Sequence, residues 1–501
     1  MAAPRTPLAL GDRLDRLPLS SFHRRLVLAL AGMILFEWVE INAFAFVAPT
    51  LREQWGIPLS TVALVAGISQ LGAFGGGVLG GYLADRVGRK RTLLLSVTVY
   101  SVGSGLCVLV QNPWQLIAAR FVAHLGAQAM AVIAIVTLTE FVPAAARGRL
   151  QTWKVAIGAL GIPIAAWTGY FVVPHWTWGW RLVLGLGLFG VVFAHLVHRW
   201  VPESPRWLLS QGEAERAEEV VRFIERSCGV EPPTPATVPP VPAAVPPGAR
   251  AETTRTGAEP SGTDVEVSRA HPPAARVRFA ELLAPRNRRR FAVVATMWVA
   301  GLFAYSAFNT WTPTFLSESG LDLDDTLLLS AAVASAAPLG AVLAVPLIDR
   351  WDRRRTQLVL GALTALSLLL FGLVHAPVPV LVLGALTSLL FQASVPFLQV
   401  YSAEVFPTRI RALGSGTSNA LSRIVNFGAP MLVAAVYGGL GYTAVFAMLA
   451  VLGLVGGCVA VLFGPRTTGV SLEAAADTPH TPHAPNAPNS PEKNLKEDVL
   501  P

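Results

Sequence analysis

The chain has 501 residues, of which 53% are hydrophobic and only 14% charged, with a mean hydropathy of +0.52 and a net charge of +8. Soluble domains carry about 25% charged residues, so a water-soluble multidomain protein is excluded. The positive charge gathers in short turns between apolar runs, which points to orientation in a lipid bilayer and away from nucleic acid.

The apolar runs show no two-residue alternation, so a membrane barrel is also excluded and an all-α membrane protein remains. Residues 1–25 form a polar, basic N-terminus with no short apolar core before a cleavage site, so no removed signal peptide is expected. Runs of about 20 apolar residues suffice to span the hydrocarbon core. Twelve such spans are predicted, near 26–50, 59–83, 92–110, 114–140, 150–173 and 181–200, then 291–316, 326–348, 357–374, 378–403, 411–437 and 441–463. They divide into an N-terminal six-helix bundle, 26–200, and a C-terminal one, 291–463. The polar loop between them, 201–290, begins with the charge pattern of a solvated amphipathic helix. Its stretch 231–275 is rich in Pro, Ala, Thr and Gly and is expected to be disordered, as is the tail 464–501. Cys107, Cys228 and Cys458 have neither metal-like spacing nor a disulfide framework.

One charged pattern occurs twice. Asp85-Arg86-Val87-Gly88-Arg89-Lys90 is followed by Glu140, Pro143 and Arg147; Asp349-Arg350-Trp351-Asp352-Arg353-Arg354 is followed by Glu404, Pro407 and Arg411. Every landmark recurs 264 positions later (85 to 349, 140 to 404, 147 to 411). Duplicated apolar units with the same charged joints are the signature of a transporter built from two similar halves. The basic turns lie on one side, while the opposite turns carry Gln111-Asn112, His175 to Trp178 and Asp322-Asp324-Asp325. By the positive-inside rule both termini and the central loop are expected in the cytoplasm, within a plasma membrane. Trp176, Trp178 and Trp180 are then expected in an outer aromatic belt.

These residues resemble the major facilitator superfamily. Gly81-x-x-x-Asp85-Arg86-x-Gly88-Arg89-Lys90 matches its signature between the second and third helices, whereas Val345 and Asp352 replace the glycines of the second copy. Pro202-Glu203-Ser204-Pro205-Arg206-Trp207, Glu404-x-Phe406-Pro407-Thr408 and Trp311-x-Pro313-Thr314 resemble the group of sugar porters, organic-ion transporters and aromatic-acid:proton symporters. The glutamine pair of sugar porters is absent from the seventh span, where Trp298 to Tyr305 stand instead, which favours an organic-ion or organic-acid carrier. The resemblance implies two pseudo-symmetric six-helix bundles and alternating access around a mid-membrane site.

At the joints, Asp85 is expected to face the positive N-terminal end of a neighbouring helix. Arg89 and Arg353 are expected to pair with Glu140 and Glu404. With Gly81, Arg86, Gly88, Lys90, Arg147, Asp349, Arg350 and Arg411 they would form a cytoplasmic gate; the alternative is that these turns serve topology alone. Glu37 and Glu40, three apart on one face of the first span, are expected to face the bundle interior. An ionised carboxylate at that depth costs at least ~2.5–3.5 kcal/mol, so these acids are protonated or paired and are candidate proton carriers. Arg423, inside the eleventh span, stays charged and needs an acid or a substrate anion. By the resemblance this position is basic in anion transporters and acidic in cation transporters. Trp38, His124, Gln128, Tyr305, Asn309, Trp311, Gln392 and Gln399 are candidates to line a cavity fitted to a flat organic acid.

The expectation is a monomeric secondary transporter that moves a small organic anion with protons, without metal, cofactor or nucleic acid. No phosphate-binding loop of the Walker type is present to support ATP-driven pumping, and no nucleophile–base cluster marks an enzyme. The competing readings are a proton-coupled exporter of organic cations or drugs, a sugar or polyol porter, and a non-transporting nutrient sensor.

Overall fold

The computed structural model describes residues 10–143, 146–230, 280–318, 322–348, 351–407 and 410–465. Asp349 and Arg350 lie outside the described residues, as do 231–279 and 466–501, on which most of the expected disorder falls. Helices are the only regular structure among the described residues. Twelve are long and apolar enough to cross a membrane: Ser21–Trp55, Leu59–Val87, Arg89–Leu109, Pro113–Phe141, Arg147–Val172, Gly179–Trp200, Asn287–Glu318, Leu323–Ala344, Arg353–Phe371, Pro377–Ser402, Leu413–Leu440 and Tyr442–Phe463. They are called the first to twelfth spans, the face with the duplicated charged joints the basic face, and the other the opposite face.

Helix ends follow local chemistry rather than hydropathy. The first span begins at Ser21 instead of near 26, because the His23 ring takes the Ser20 backbone N–H at Nδ1 (3.2 Å). Its Nε2 therefore carries the proton and donates to the Phe141 carbonyl at 3.2 Å, tying the first span to the end of the fourth. The first span ends where Gly56 turns left-handed at φ 62°. The fifth span is interrupted between Ala159 and Gly161, where a Cβ on Gly161 would meet the Leu35 carbonyl at 2.3 Å, so the fifth span packs backbone-close on the first. Trp176 and Trp178 stack at the opposite face, half-exposed. Trp180 leaves that belt: it is buried, donates to Gln54 at 3.0 Å and packs edge-on to Trp55.

The two halves repeat each other in three dimensions. Spans two and four, three and four, three and six, one and five, and one and six pack together, and the pairs six numbers higher do the same. The repetition reaches single atoms. A Cβ on Gly76 would lie 2.0 Å from the Leu125 carbonyl, and one on Gly340 would lie 2.0 Å from the Leu389 carbonyl, 264 positions later in both partners. Without a hydrophobic drive between helices in lipid, such small-residue contacts let backbones approach and hold the bundle. The halves meet through two symmetry-related contacts, the second span on the eleventh and the fifth on the eighth, with the first packed on the seventh. Trp167 Nε1 donates to Ser335 Oγ across this seam at 2.9 Å, and Arg52 pairs with Glu318 at the opposite face.

At the basic face, Glu203 caps the third span. Its Oε1 accepts from the backbone N–H of Arg89 (2.7 Å) and Lys90 (3.1 Å), two donors that the helix itself leaves unused. Ser204 caps the short helix Pro205–Ser210, and Trp207 Nε1 donates to the Asp85 carbonyl at 2.9 Å. Below this, Arg13 bridges Glu218 (2.7 Å) and Glu225 (2.8 Å) of the loop helix Ala214–Ser227. Burial alone would raise the Glu218 carboxyl; the hydrogen bonds and charges of Arg13 and Arg222 outweigh it and hold Glu218 below the usual range.

Gly88 has φ 105°, and a Cβ there would lie 2.4 Å from Glu203 Oε2. Gly88→Ala should therefore lower stability by about 1–3 kcal/mol through backbone strain and loss of the cap, read as a lower thermal midpoint; an unchanged midpoint would refute the cap. Since the Glu218 carboxyl is depressed, its contribution is present above the ordinary glutamate pKa of about 4.3 and lost as pH falls through the folded value. Protection factors of the amides in Ala214–Ser227, taken relative to the intrinsic exchange rate at each pH, should fall on acidification, and less so in Arg13→Gln.

Candidate functional site

Ionisable groups collect where the first span passes the middle of the bundle. Glu40 is fully buried, accepts a 2.6 Å hydrogen bond from Ser104 Oγ and pairs with Arg120 at 3.6 Å. Arg120, on the fourth span, donates to Ser69 Oγ at 3.3 Å, lies 3.4 Å from His124 Nε2 and sits 5.0 Å over the Phe44 ring. His124 Nδ1 lies 3.1 Å from the Arg120 carbonyl, a bond along its own helix. This acid and this base belong to one half and compensate each other inside it.

Glu37, one turn towards the basic face, is placed differently. It is 4% exposed where Glu40 is 0%, and it forms no hydrogen bond or direct ion pair among the described residues. The cations acting on it are Arg423 foremost and then Lys154. Arg423 belongs to the other half, so this attraction crosses the seam. Among the described residues the guanidinium hydrogen-bonds only Gln70 of the second span, at 3.5 Å, and its Nε is covered without a hydrogen-bond partner there. Tyr305 lies within range of the Arg423 charge, and its ring packs edge-on to Phe391 at 5.9 Å.

The other sequence candidates fall into three groups. Trp38 packs between Ala156 and Ala159 of the fifth span and Ala341 of the eighth, at the seam beside Glu37. Gln392 is buried with both side-chain polar atoms unpartnered, while Gln128 and Asn309 are half-buried, the latter bonded back to the Tyr305 carbonyl at 2.9 Å. Trp311 is buried against Phe315 in the core of the C-terminal half, and Gln399 is exposed. Three residues that sequence reasoning passed over belong here: Arg120, Lys154 and Asn426, the last buried one turn beyond Arg423 with both amide atoms unpartnered. The signal for the first two was present, since each is a cation inside an apolar span.

At the joints, Arg89 pairs with Glu140 at 3.3 Å and Arg353 with Glu404 at 3.4 Å, the same bond 264 positions apart. Each of these pairs lies within one half. Asp85 is 76% exposed and pairs with Arg89 at 3.0 Å, and Glu203 occupies the neighbouring helix N-terminus. Arg86 lies over the Tyr82 ring at 4.5 Å, Lys90 Nζ donates to the His198 carbonyl, Arg147 pairs with Asp15, and the Arg411 carbonyl accepts from Ser415. Nothing lies within 4 Å of a Cβ built on Gly81. A cavity of about 610 Å³ lined by Pro49, Arg52, Glu53, Pro58, Ser317 and Leu323 opens beside the Arg52–Glu318 pair, far along the first span from the buried charges.

The family of sugar (and other) transporters matches residues 26–478. The chain belongs to this family, within the major facilitator superfamily. It is 33% identical over 457 residues to the putative metabolite transport protein YyaJ of Bacillus subtilis, covering 91% of this chain and 95% of that protein. It is 28% identical over 466 residues to the niacin transporter NiaP of Acinetobacter baylyi (93% and 99%) and 24% identical over 451 residues to a gallate transporter of Pseudomonas putida (88% and 92%). The fold matches the xylose transporter XylE of E. coli in a partially occluded inward-open conformation, with a TM-score of 0.69 and 17% identity over 90% of this chain and all of that one. The protein is thus a multi-pass secondary transporter for a small molecule, and not an enzyme.

Removing one member of a buried ion pair strands the other, at about 3–5 kcal/mol. Arg120→Leu should lower the thermal midpoint sharply, and Glu40→Gln added to it should recover most of the loss. A double variant no more stable than Arg120→Leu would show that the pair does not compensate itself.

Proposed function

We propose that this transporter carries a small organic anion, an aromatic monocarboxylate foremost, together with a proton, and that its basic face is cytoplasmic. The reading rests on one observation: Glu37 and Arg423 attract each other across the seam, yet neither forms a direct ion pair. A buried acid and a buried cation so placed can exchange partners. When Glu37 takes a proton its hold on Arg423 ends, and the guanidinium is free to bind a substrate carboxylate through two parallel N–H donors. When the proton leaves, Glu37 reclaims the cation and the carboxylate is released. Proton and anion thus travel together because the two carboxylates compete for one guanidinium.

The surroundings suit an aromatic ring. Tyr305 and Trp38 offer flat apolar surface, and the buried amides of Gln392 and Asn426 offer polar atoms still lacking partners. Buried donors left unpaired by an ill-matched ligand cost affinity, so such amides select a ring bearing polar atoms. Niacin and gallate, which name two of the relatives, are carboxylates on aromatic rings. An organic cation is disfavoured, because two cations flank the single acid, Glu37.

Alternating access then follows from the halves rocking about the seam. Trp167–Ser335 and Arg52–Glu318 join them towards the opposite face, whereas Arg89–Glu140 and Arg353–Glu404 each lie within one half at the basic face. With the basic face inside the cell, this arrangement faces inward.

The test is uptake of radiolabelled nicotinate and benzoate into proteoliposomes. An acidic exterior should accelerate uptake and drive accumulation by wild type. Glu37→Gln should abolish accumulation while still exchanging internal for external anion, and Arg423→Gln should abolish both. Accumulation by Glu37→Gln equal to wild type would sink the role of Glu37; indifference of wild type to the proton gradient would sink symport.

A further inference from the structure

We infer that Lys154 is a second ligand for the substrate carboxylate, supplied by the N-terminal half, so that the bound anion bridges Lys154 and Arg423 across the seam. The inference rests on the functional reading above and names the residue that completes that site.

Lys154 lies seven residues into the fifth span, about 10 Å along the helix from its basic end. That is near enough to the end of the span for a lysine to extend its stem towards water, but the side chain does not take that route: it is 2% exposed. It makes no hydrogen bond or direct ion pair among the described residues. A buried ammonium with no direct partner is expensive, and such groups in membrane proteins face the interior and serve function.

The counter-charge available to it is insufficient. Glu37 is the acid that acts on Lys154, and Glu37 is engaged more strongly by Arg423. Glu40, one turn from Glu37 on the first span, is already bound by Arg120 and Ser104. The stretch of the eighth span that packs here, Ala337–Ala344, has no ionisable residue. Two cations therefore share one carboxylate, and when Glu37 is protonated both are left without an anion. A substrate carboxylate has two oxygens with about four lone-pair sites and meets that need: both oxygens accept from the guanidinium, and one of them accepts from the ammonium as well.

The position fits a bridging role. Two residues beyond Lys154, Ala156 and then Ala159 pack against Ala341 of the other half, with Trp38 completing the contact. Lys154 thus stands at the edge of the fifth–eighth contact, one of the two symmetry-related contacts on which the halves meet. An anion held by one cation from each half would draw the halves together as it binds, so loading and closure would be a single event.

The test uses the full chain in lipid nanodiscs and compares nicotinate with nicotinamide, which shares the ring and lacks the charge. Lys154→Gln should weaken nicotinate binding about 30-fold or more, the usual loss when one partner of a buried charged contact is removed. Nicotinamide should keep its weaker wild-type affinity, and Lys154→Arg should restore nicotinate binding. Glu37→Gln, which removes the competing carboxylate, should tighten nicotinate binding, and that gain should vanish in Glu37→Gln/Lys154→Gln. A purely structural lysine would lower the thermal midpoint and both affinities alike. Nicotinate binding to a folded Lys154→Gln protein equal to wild type overturns the inference and leaves the functional reading intact. Failure of wild type to bind nicotinate, benzoate and cyclohexanecarboxylate overturns that reading and the role of Lys154 with it.

Discussion

A charge enclosed by apolar helices must find its opposite inside the same enclosure, and the interior of this protein is arranged around that requirement. The Glu40–Arg120 pair meets it within one half, with Ser104 and Ser69 taking further valences. That closed pair fixes the first span to the third and fourth and leaves Glu37, on the same helical face, as the acid that is not spoken for. Arg423 and Lys154 approach it from different spans, and neither closes on it. The contrast between an acid and a base that pair within one half and a trio with no direct ion pair, one turn apart, separates what holds the bundle together from what it can do.

The same economy governs the basic face. Arg89–Glu140 and Arg353–Glu404 look from their spacing like a latch between the halves, yet each stitches neighbouring helices of one half. They keep each half rigid while it moves. Joining the halves is left to the seam: the packed second–eleventh, fifth–eighth and first–seventh spans and, among the described residues, the hydrogen bonds Trp167–Ser335 and Arg423–Gln70 and the partly exposed Arg52–Glu318 pair. Rigid bodies with a lightly held seam are what rocking requires.

Much of this could be read from the chain. The 264-residue offset is a property of a duplicated sequence, and it survives in space down to the carbonyls facing Gly76 and Gly340. Twelve spans were visible because hydropathy measures what lipid measures. Glu37, Glu40 and Arg423 stood out because a charge amid apolar residues is costly enough to need a reason. Other features were hidden by the one-dimensional view. Lys154, a cation inside an apolar span but near its end, reads in sequence either as an interior charge or as a lysine reaching for water, and its burial decides between the two. Glu203 carries a recognisable motif, but its use as a cap depends on a loop folding back across the membrane face to Arg89. Which acid pairs with which base depends on rotation about helix axes, and spacing along the chain does not encode that between distant spans.

Arg52 and Glu318 have a consequence beyond their own contact. Both side chains are about one-third exposed, 32% and 28%, so water and dissolved ions reach them. The Debye length shortens from about 30 Å at 0.01 M salt to about 3 Å at 1 M. The clasp on the opposite face is thus looser in brine than in fresh water, while the buried charges at mid-bundle are shielded from that change.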